Sequence, residues 1–236
     1  MPADAAVLRR SPIADRIRNL RLIAVLRRVE PRSELLTLID LLVDDGVRAF
    51  EITFDGPTAA EDLRACRERV VQRGIQDAIF GAGTVRSMET LEAAHAAGAD
   101  FAVSPSLDPA VLRRALDLAL PFIPGAFSPT EVEAAWQAGA TFVKLFPASS
   151  LGPTHARELR GPFPDIECVA TGGIDPGNAR AFLDGGCVAV GVGSAIVRVS
   201  AAERRALVAA TTGLMTLAAR LDQPDAVAGD VAKDRH

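Results

Sequence analysis

Two hydrophobic periods alternate along this chain. Short runs that are almost wholly apolar, as buried parallel strands require, are separated by longer stretches in which apolar residues recur every three or four positions, as on one face of a helix. The join between them repeats. An Ala-rich helical stretch ends in Gly and runs straight into an apolar strand at Asp45-Gly46-Val47-Arg48-Ala49-Phe50, Ala97-Gly98-Ala99-Asp100-Phe101-Ala102, Ala138-Gly139-Ala140-Thr141-Phe142-Val143 and Gly185-Gly186-Cys187-Val188-Ala189-Val190. Glycine at such a join supplies a left-handed helix cap without steric cost. The units between predict strands near 21–27, 47–54, 77–82, 100–104, 121–124, 141–146, 166–170 and 187–191. Helices are predicted near 33–45, 58–73, 87–97, 108–119, 128–138, 154–160, 176–184 and 201–220.

Eight rounds of strand and helix predict an α/β fold of the (β/α)8, or TIM-barrel, type. A doubly wound open sheet is the alternative, because strand order is not written in a sequence. Residues 12–20 predict an extra N-terminal helix. The expected organisation is one domain over 12–220, with flexible termini at 1–11 and 221–236.

Composition narrows the partners. With 49% hydrophobic and 24% charged residues, the 236-residue chain is neither disordered nor fibrous. A net charge of -4 leaves no basic field for nucleic acid or an anionic membrane. No run reaches the length of a membrane span and the start lacks a signal-peptide core, so a cytoplasmic protein with a small-molecule partner is expected. Cys66, Cys168 and Cys187 lack CxxC spacing and are expected to be buried free thiols. His95 and His155 have no second His at metal spacing and read as surface residues, so neither metal nor other cofactor is expected.

In a (β/α)8 barrel, chemistry sits at the carboxyl ends of the strands. Of 26 basic residues only Lys144 and Lys233 are lysines, and Lys144 stands inside the apolar run Thr141-Phe142-Val143-Lys144-Leu145-Phe146-Pro147. Burial lowers an amine pKa and yields a neutral nucleophile able to form a Schiff base, which no arginine does. The alternative is a lysine whose stem packs in the barrel while its head pairs with a carboxylate. Glu51 interrupts a second apolar strand, Phe50-Glu51-Ile52-Thr53-Phe54. Period 2 turns Glu51 and Thr53 together into the barrel mouth, as a general acid/base or as a salt bridge to Lys144 or an arginine.

Glycine-rich turns follow the last two strands, Thr171-Gly172-Gly173-Ile174-Asp175-Pro176 and Gly191-Val192-Gly193-Ser194. These loops either make tight turns or cradle a phosphate on backbone N–H groups, with Asp175 as N-cap and Pro176 opening the next helix. Arg27 closes the first strand and Thr84 the third, positions able to bind a carboxylate, although Arg27 alone also reads as an exposed surface residue. An amine and a base on opposite strands are the minimum for making or breaking a carbon–carbon bond beside a ketone. A phosphate-binding isomerase or epimerase using Glu51, and a catalytically idle sugar-phosphate binder, are competing readings.

Taken in order, these windows resemble the family of 2-keto-3-deoxy-6-phosphogluconate (KDPG) and 4-hydroxy-2-oxoglutarate (KHG) aldolases, including its 2-keto-3-deoxy-6-phosphogalactonate (KDPGal) branch. The likeness runs over about residues 20–200: Ile-Ala-Val-Leu-Arg at 23–27, Glu-Ile-Thr at 51–53, Gly-Ala-Gly-Thr-Val at 81–85, Val-Ser-Pro at 103–105, Pro-Gly at 124–125, Val-Lys-Leu-Phe-Pro-Ala at 143–148, Thr-Gly-Gly-Ile at 171–174 and Gly-Val-Gly-Ser at 191–194. The resemblance implies a homotrimeric, metal-independent class I aldolase that cleaves a 2-keto-3-deoxy-6-phospho sugar acid to pyruvate and glyceraldehyde 3-phosphate. It implies Lys144 as Schiff-base lysine and Glu51 as general acid/base. It also implies Arg27 and Thr84 at the substrate carboxylate, Pro105 and Phe146 lining the pocket, and Gly172, Gly173, Gly193 and Ser194 at the phosphate. Phosphogluconate-type members carry Arg-Thr after the Glu-x-Thr-x segment, whereas this chain has Asp55-Gly56-Pro57, more like the phosphogalactonate branch. Asp55 itself is expected in neither.

Overall fold

The helix-to-strand joins set the course of the chain, which a computed structural model describes over residues 4–212. Gly46, Gly98, Gly139 and Gly186 all take positive φ, between 84° and 108°. After each, the next N–H returns to a carbonyl of the preceding helix: Val47 to Leu42 (2.9 Å), Ala99 to Ala94 (3.0 Å), Ala140 to Ala135 (3.1 Å) and Cys187 to Phe182 (3.1 Å). This Schellman closure ends each helix and aims the chain into a strand. Two joins outside the four quoted repeats close in the same way, at Gly74 (φ 75°) and Ala119 (φ 53°).

The eight strands are β1 Leu22–Leu26, β2 Ala49–Thr53, β3 Ile79–Gly83, β4 Phe101–Val103, β5 in two pieces Phe122–Ile123 and Gly125–Ala126, β6 Val143–Leu145, β7 Cys168–Thr171 and β8 Ala189–Val192. All pair in parallel with their sequence neighbours, and β1 also pairs with β8. The first piece of β5 pairs with β4 and the second with β6. Pro124, which has no N–H, breaks the strand, yet its carbonyl still takes the Lys144 N–H at 2.9 Å. One short segment thus joins both edges of the sheet and closes the barrel around that break, which excludes the open sheet.

Between the strands run α3 Arg32–Asp44, α4 Ala59–Gln72, α5 Met88–Ala96, α6 Pro109–Asp117, α7 Pro129–Gln137, α8 Ala148–Leu159 and α9 Ala179–Asp184, preceded by α1 Ala5–Arg9 and α2 Pro12–Leu20 and followed by α10 Ser194–Arg198 and α11 Ala201–Thr212. Three differ from expectation. α8 carries an unexpected first part over 148–151, after which Gly152 (φ 74°, ψ 163°) breaks the helical path and Pro153 opens the helix expected near 154–160. α9 starts after 176, because Asp175 Oδ1 takes the N–H groups of Gly177 (2.8 Å) and Asn178 (3.0 Å) and holds a turn first. Residues 1–11 were expected to be flexible, but within them α1 buries Leu8. Arg9 of α1 lies 3.4 Å over the Trp136 ring and donates to the carbonyls of Trp136 and Ala140. The expected helix over 213–220 and the tail 221–236 lie outside the described residues.

Period 2 sorts every strand into two cores. Outward residues such as Phe50, Ile52, Val143 and Leu145 pack under the helices. Inward ones, among them Ile23, Ala49, Ile79, Phe101, Phe142 and Val169, fill the barrel and meet Ala14 and Ile17 of α2. α2 therefore plugs the amino end of the barrel, and Ser11 caps it by accepting the Ala14 N–H. At the far end of the chain α11 is tied back by a buried ion pair, Arg204 to Asp45 at 2.6 Å, with Arg205 on the other oxygen at 2.8 Å. No described helix is long and apolar enough to cross a membrane.

Candidate active site

Where the apolar layers stop, at the carboxyl ends of the strands, a cavity of about 910 Å³ opens. All ten residues singled out from the sequence line it: Arg27, Glu51, Thr84, Pro105, Lys144, Phe146, Gly172, Gly173, Gly193 and Ser194. Lys144 points inward because Val143 and Leu145 point out into the helix layer. It is 5% exposed, among the described residues it forms no ion pair, and its Nζ lies 4.7 Å from the centre of the Phe146 ring. Burial depresses its pKa and Arg27 depresses it further, against an upward pull from Glu51.

Glu51 is 2% exposed, and its Oε1 is buried without a hydrogen-bond partner. Burial raises its pKa, while Lys144 and Arg27 pull it down. β2 and β6 stand opposite each other in an eight-stranded barrel, so acid and amine face across the cavity and make no direct ion pair. The salt-bridge alternatives for both residues are therefore not what the structure holds. Room for Glu51 comes from a neighbour: a Cβ on Gly83 would stand 2.0 Å from its Oε1. A buried amine held towards its neutral form, opposite an unpartnered carboxyl, can form an imine and move a proton within one cavity.

Arg27 is not a bare surface arginine. Its Nη1 donates to Asp55 Oδ2 at 2.8 Å and its Nη2 to Thr84 Oγ1 at 3.3 Å. On the opposite rim, the N–H groups of Gly172, Gly173, Gly193 and Ser194 donate to nothing among the described residues. Gly172 and Gly173 hold φ of 92° and 72°, so the first two of these donors sit on a left-handed turn that favours glycine. Thr53 departs from expectation. It does not line the cavity, because its hydroxyl is turned to the Leu26 carbonyl at 3.4 Å.

Sequence reasoning assigned no place in the cavity to seven further lining residues, Val25, Arg86, Ser106, Thr171, Ile174, Asp175 and Ala195. Each lies within two residues of one that was singled out, so the strand-end windows held the signal. His95 is exposed, whereas His155 is half-buried with Nε2 unpartnered, short of the surface position expected. The three cysteines are buried and free, and burial pushes the Cys66 and Cys168 thiols up to about 12. Among the described residues no cluster of His, Cys, Asp or Glu is arranged to hold a metal.

The sequence profile of KDPG and KHG aldolase matches residues 13–211. The chain belongs to the KDPG and KHG aldolase family. Among curated family members, it is 35% identical over 181 residues to the 2-dehydro-3-deoxy-6-phosphogalactonate aldolase of Escherichia coli, covering 76% of this chain and 86% of that one. It is 37% identical over 174 residues to the 2-dehydro-3-deoxy-phosphogluconate aldolase of Treponema pallidum, covering 72% and 79%. A solved KDPG aldolase from Legionella pneumophila, with pyruvate captured as a covalent carbinolamine intermediate, superposes with a TM-score of 0.73 at 26% identity, over 86% of this chain and 98% of that one. Membership in this aldolase family makes the chain a carbon–carbon lyase and sets aside the isomerase reading.

Proposed function

We propose that this enzyme is a class I aldolase that cleaves a 2-keto-3-deoxy-6-phospho sugar acid to pyruvate and glyceraldehyde 3-phosphate through an imine on Lys144. The observation that carries the reading is the pair of buried, mutually unpaired groups, Lys144 and Glu51, facing one cavity. Neutral Lys144 adds to the C2 ketone and water leaves, giving a protonated imine that withdraws electrons from C3. Glu51 takes the C4 hydroxyl proton, the C3–C4 bond breaks, and the aldehyde departs. The remaining enamine is protonated at C3 and hydrolysed to pyruvate, which restores the amine. Arg27 and Thr84 hold the carboxylate, Pro105 and Phe146 wall the pyruvyl portion, and Gly172, Gly173, Gly193 and Ser194 cradle the phosphate.

The galactonate-derived epimer is the proposed substrate, because Asp55-Gly56-Pro57 stands where phosphogluconate-type members carry Arg-Thr. Higher kcat/KM on the gluconate-derived epimer would overturn that choice. A homotrimer working in the cytoplasm rests on the family likeness. The decisive experiment incubates the protein with pyruvate and sodium borohydride and maps the adduct by mass spectrometry. A reduced pyruvyl group on Lys144 is expected, and a folded protein without one would refute the imine mechanism.

A further inference from the structure

Asp55 lies two residues beyond the end of β2, outside the cavity and behind Arg27. Its Oδ2 receives Arg27 Nη1 at 2.8 Å and lies 3.2 Å from Arg28 Nε, while its backbone carbonyl receives Arg28 Nη2 at 3.2 Å. The acid is 15% exposed at its side chain, against 54% for Arg27 and 66% for Arg28. It is thus the fixed point on which two solvated guanidinium groups converge. Thr84, itself held at φ 61°, takes the other terminal nitrogen of Arg27. Arg27 is clamped at both ends, and of the five N–H donors of a guanidinium three are left for a ligand.

We propose that Asp55 is a positioning residue for the keto-acid carboxylate, pinning Arg27 against Thr84 so that its remaining donors face the cavity. The proposal rests on the reading that Arg27 holds that carboxylate. Two effects oppose each other. An unpinned arginine at a half-exposed rim must give up its rotamer freedom when the ligand binds. Repulsion between Asp55 and the arriving carboxylate acts across the width of a guanidinium group, where water and salt screen it. Positioning outweighs repulsion at this rim.

The test is deuterium exchange into the methyl group of pyruvate, followed by NMR, because that half-reaction needs pyruvate and the imine but no aldehyde. Asp55→Asn is expected to raise the KM for pyruvate about five- to twentyfold, the effect of losing one charge-assisted hydrogen bond, with kcat within about twofold. Asp55→Glu, which keeps the charge, brings KM most of the way back. In an Arg27→Met background, Asp55→Asn changes nothing further, as expected of a residue acting through Arg27. A pyruvate KM that is unchanged or lower in Asp55→Asn, or additive effects in the double variant, overturns the proposal while leaving the carboxylate role of Arg27 intact. If Arg27→Met itself leaves KM at the native value, the carboxylate reading fails and takes this proposal with it.

Discussion

Replacing Gly83 by alanine would test whether the place of the Glu51 carboxyl sets the rate. Gly83 has no positive φ, so alanine fits the backbone, and the whole effect comes from its methyl group. That carbon would stand 2.0 Å from Glu51 Oε1 and 2.7 Å from Cδ and Cγ. To reach ordinary contact at 3.4 Å the carboxyl must retreat by about 1.4 Å. A shift of that size in a proton-transfer group costs on the order of 10²-fold in rate, equivalent to about 2.7 kcal/mol. Crowding a filled barrel costs a further ~1–3 kcal/mol of stability. The assay is pyruvate release under saturating substrate, with thermal unfolding in parallel and Gly56→Ala, where an added Cβ meets nothing within 4 Å, as control. We expect kcat to fall about a hundredfold, KM to hold within a few fold, and the Lys144 adduct still to form. A kcat within threefold of native would refute the argument that Glu51 needs this position.

Other outcomes follow from the same structure. Burial holds Glu51 above its usual value of 4.5, so its contribution to stability is complete below that pH and is lost as pH rises through the native pKa. Glu51→Gln should therefore gain in thermal midpoint over the native enzyme as pH rises above 4.5 towards the raised native pKa, while losing turnover, and an offset independent of pH would contradict this. Gly173→Ala places a Cβ 2.4 Å from Ser149 at φ 72°, and should raise KM for the phosphorylated substrate while sparing pyruvate exchange. Equal effects in the two assays would remove this turn from the phosphate site. Asp45→Ala strands the buried Arg204 and should cost about 3 kcal/mol in urea unfolding, whereas an unchanged midpoint would show the pair to be idle. Ala119→Gly relieves the left-handed backbone at φ 53° and should add about 1 kcal/mol, a gain that hydrogen exchange at the α6–β5 join would detect.

The barrel was legible because its joins are written in local chemistry. A glycine that must be left-handed and an all-apolar strand after it need no knowledge of distant residues. Lys144 and Glu51 were legible for a related reason, since a charge inside an apolar strand has only two directions to point and one of them is costly. What escaped depends on groups far apart in sequence. Asp55 could not be assigned until Arg27 and Arg28 were seen to converge on it, and α1 is a single turn whose anchor, Trp136, lies about 130 residues away. The break of β5 at Pro124 was equally hidden, because it matters only where two sheet edges meet.

Every ion pair among the described residues is carried by an arginine. Side-chain amine chemistry is thereby almost confined to the reaction chamber, since the chain's only other lysine is Lys233. Acylating or reductively methylating reagents would work nearly as active-site titrants at a pH where an ordinary lysine stays charged and the depressed Lys144 does not. Peptide mapping, which separates a label on Lys144 from one on the α-amino group, would then count functional sites, and pyruvate would protect them. The same economy makes coupling to a surface through lysine a poor way to immobilise this enzyme, because one of its two possible tethers is the nucleophile itself.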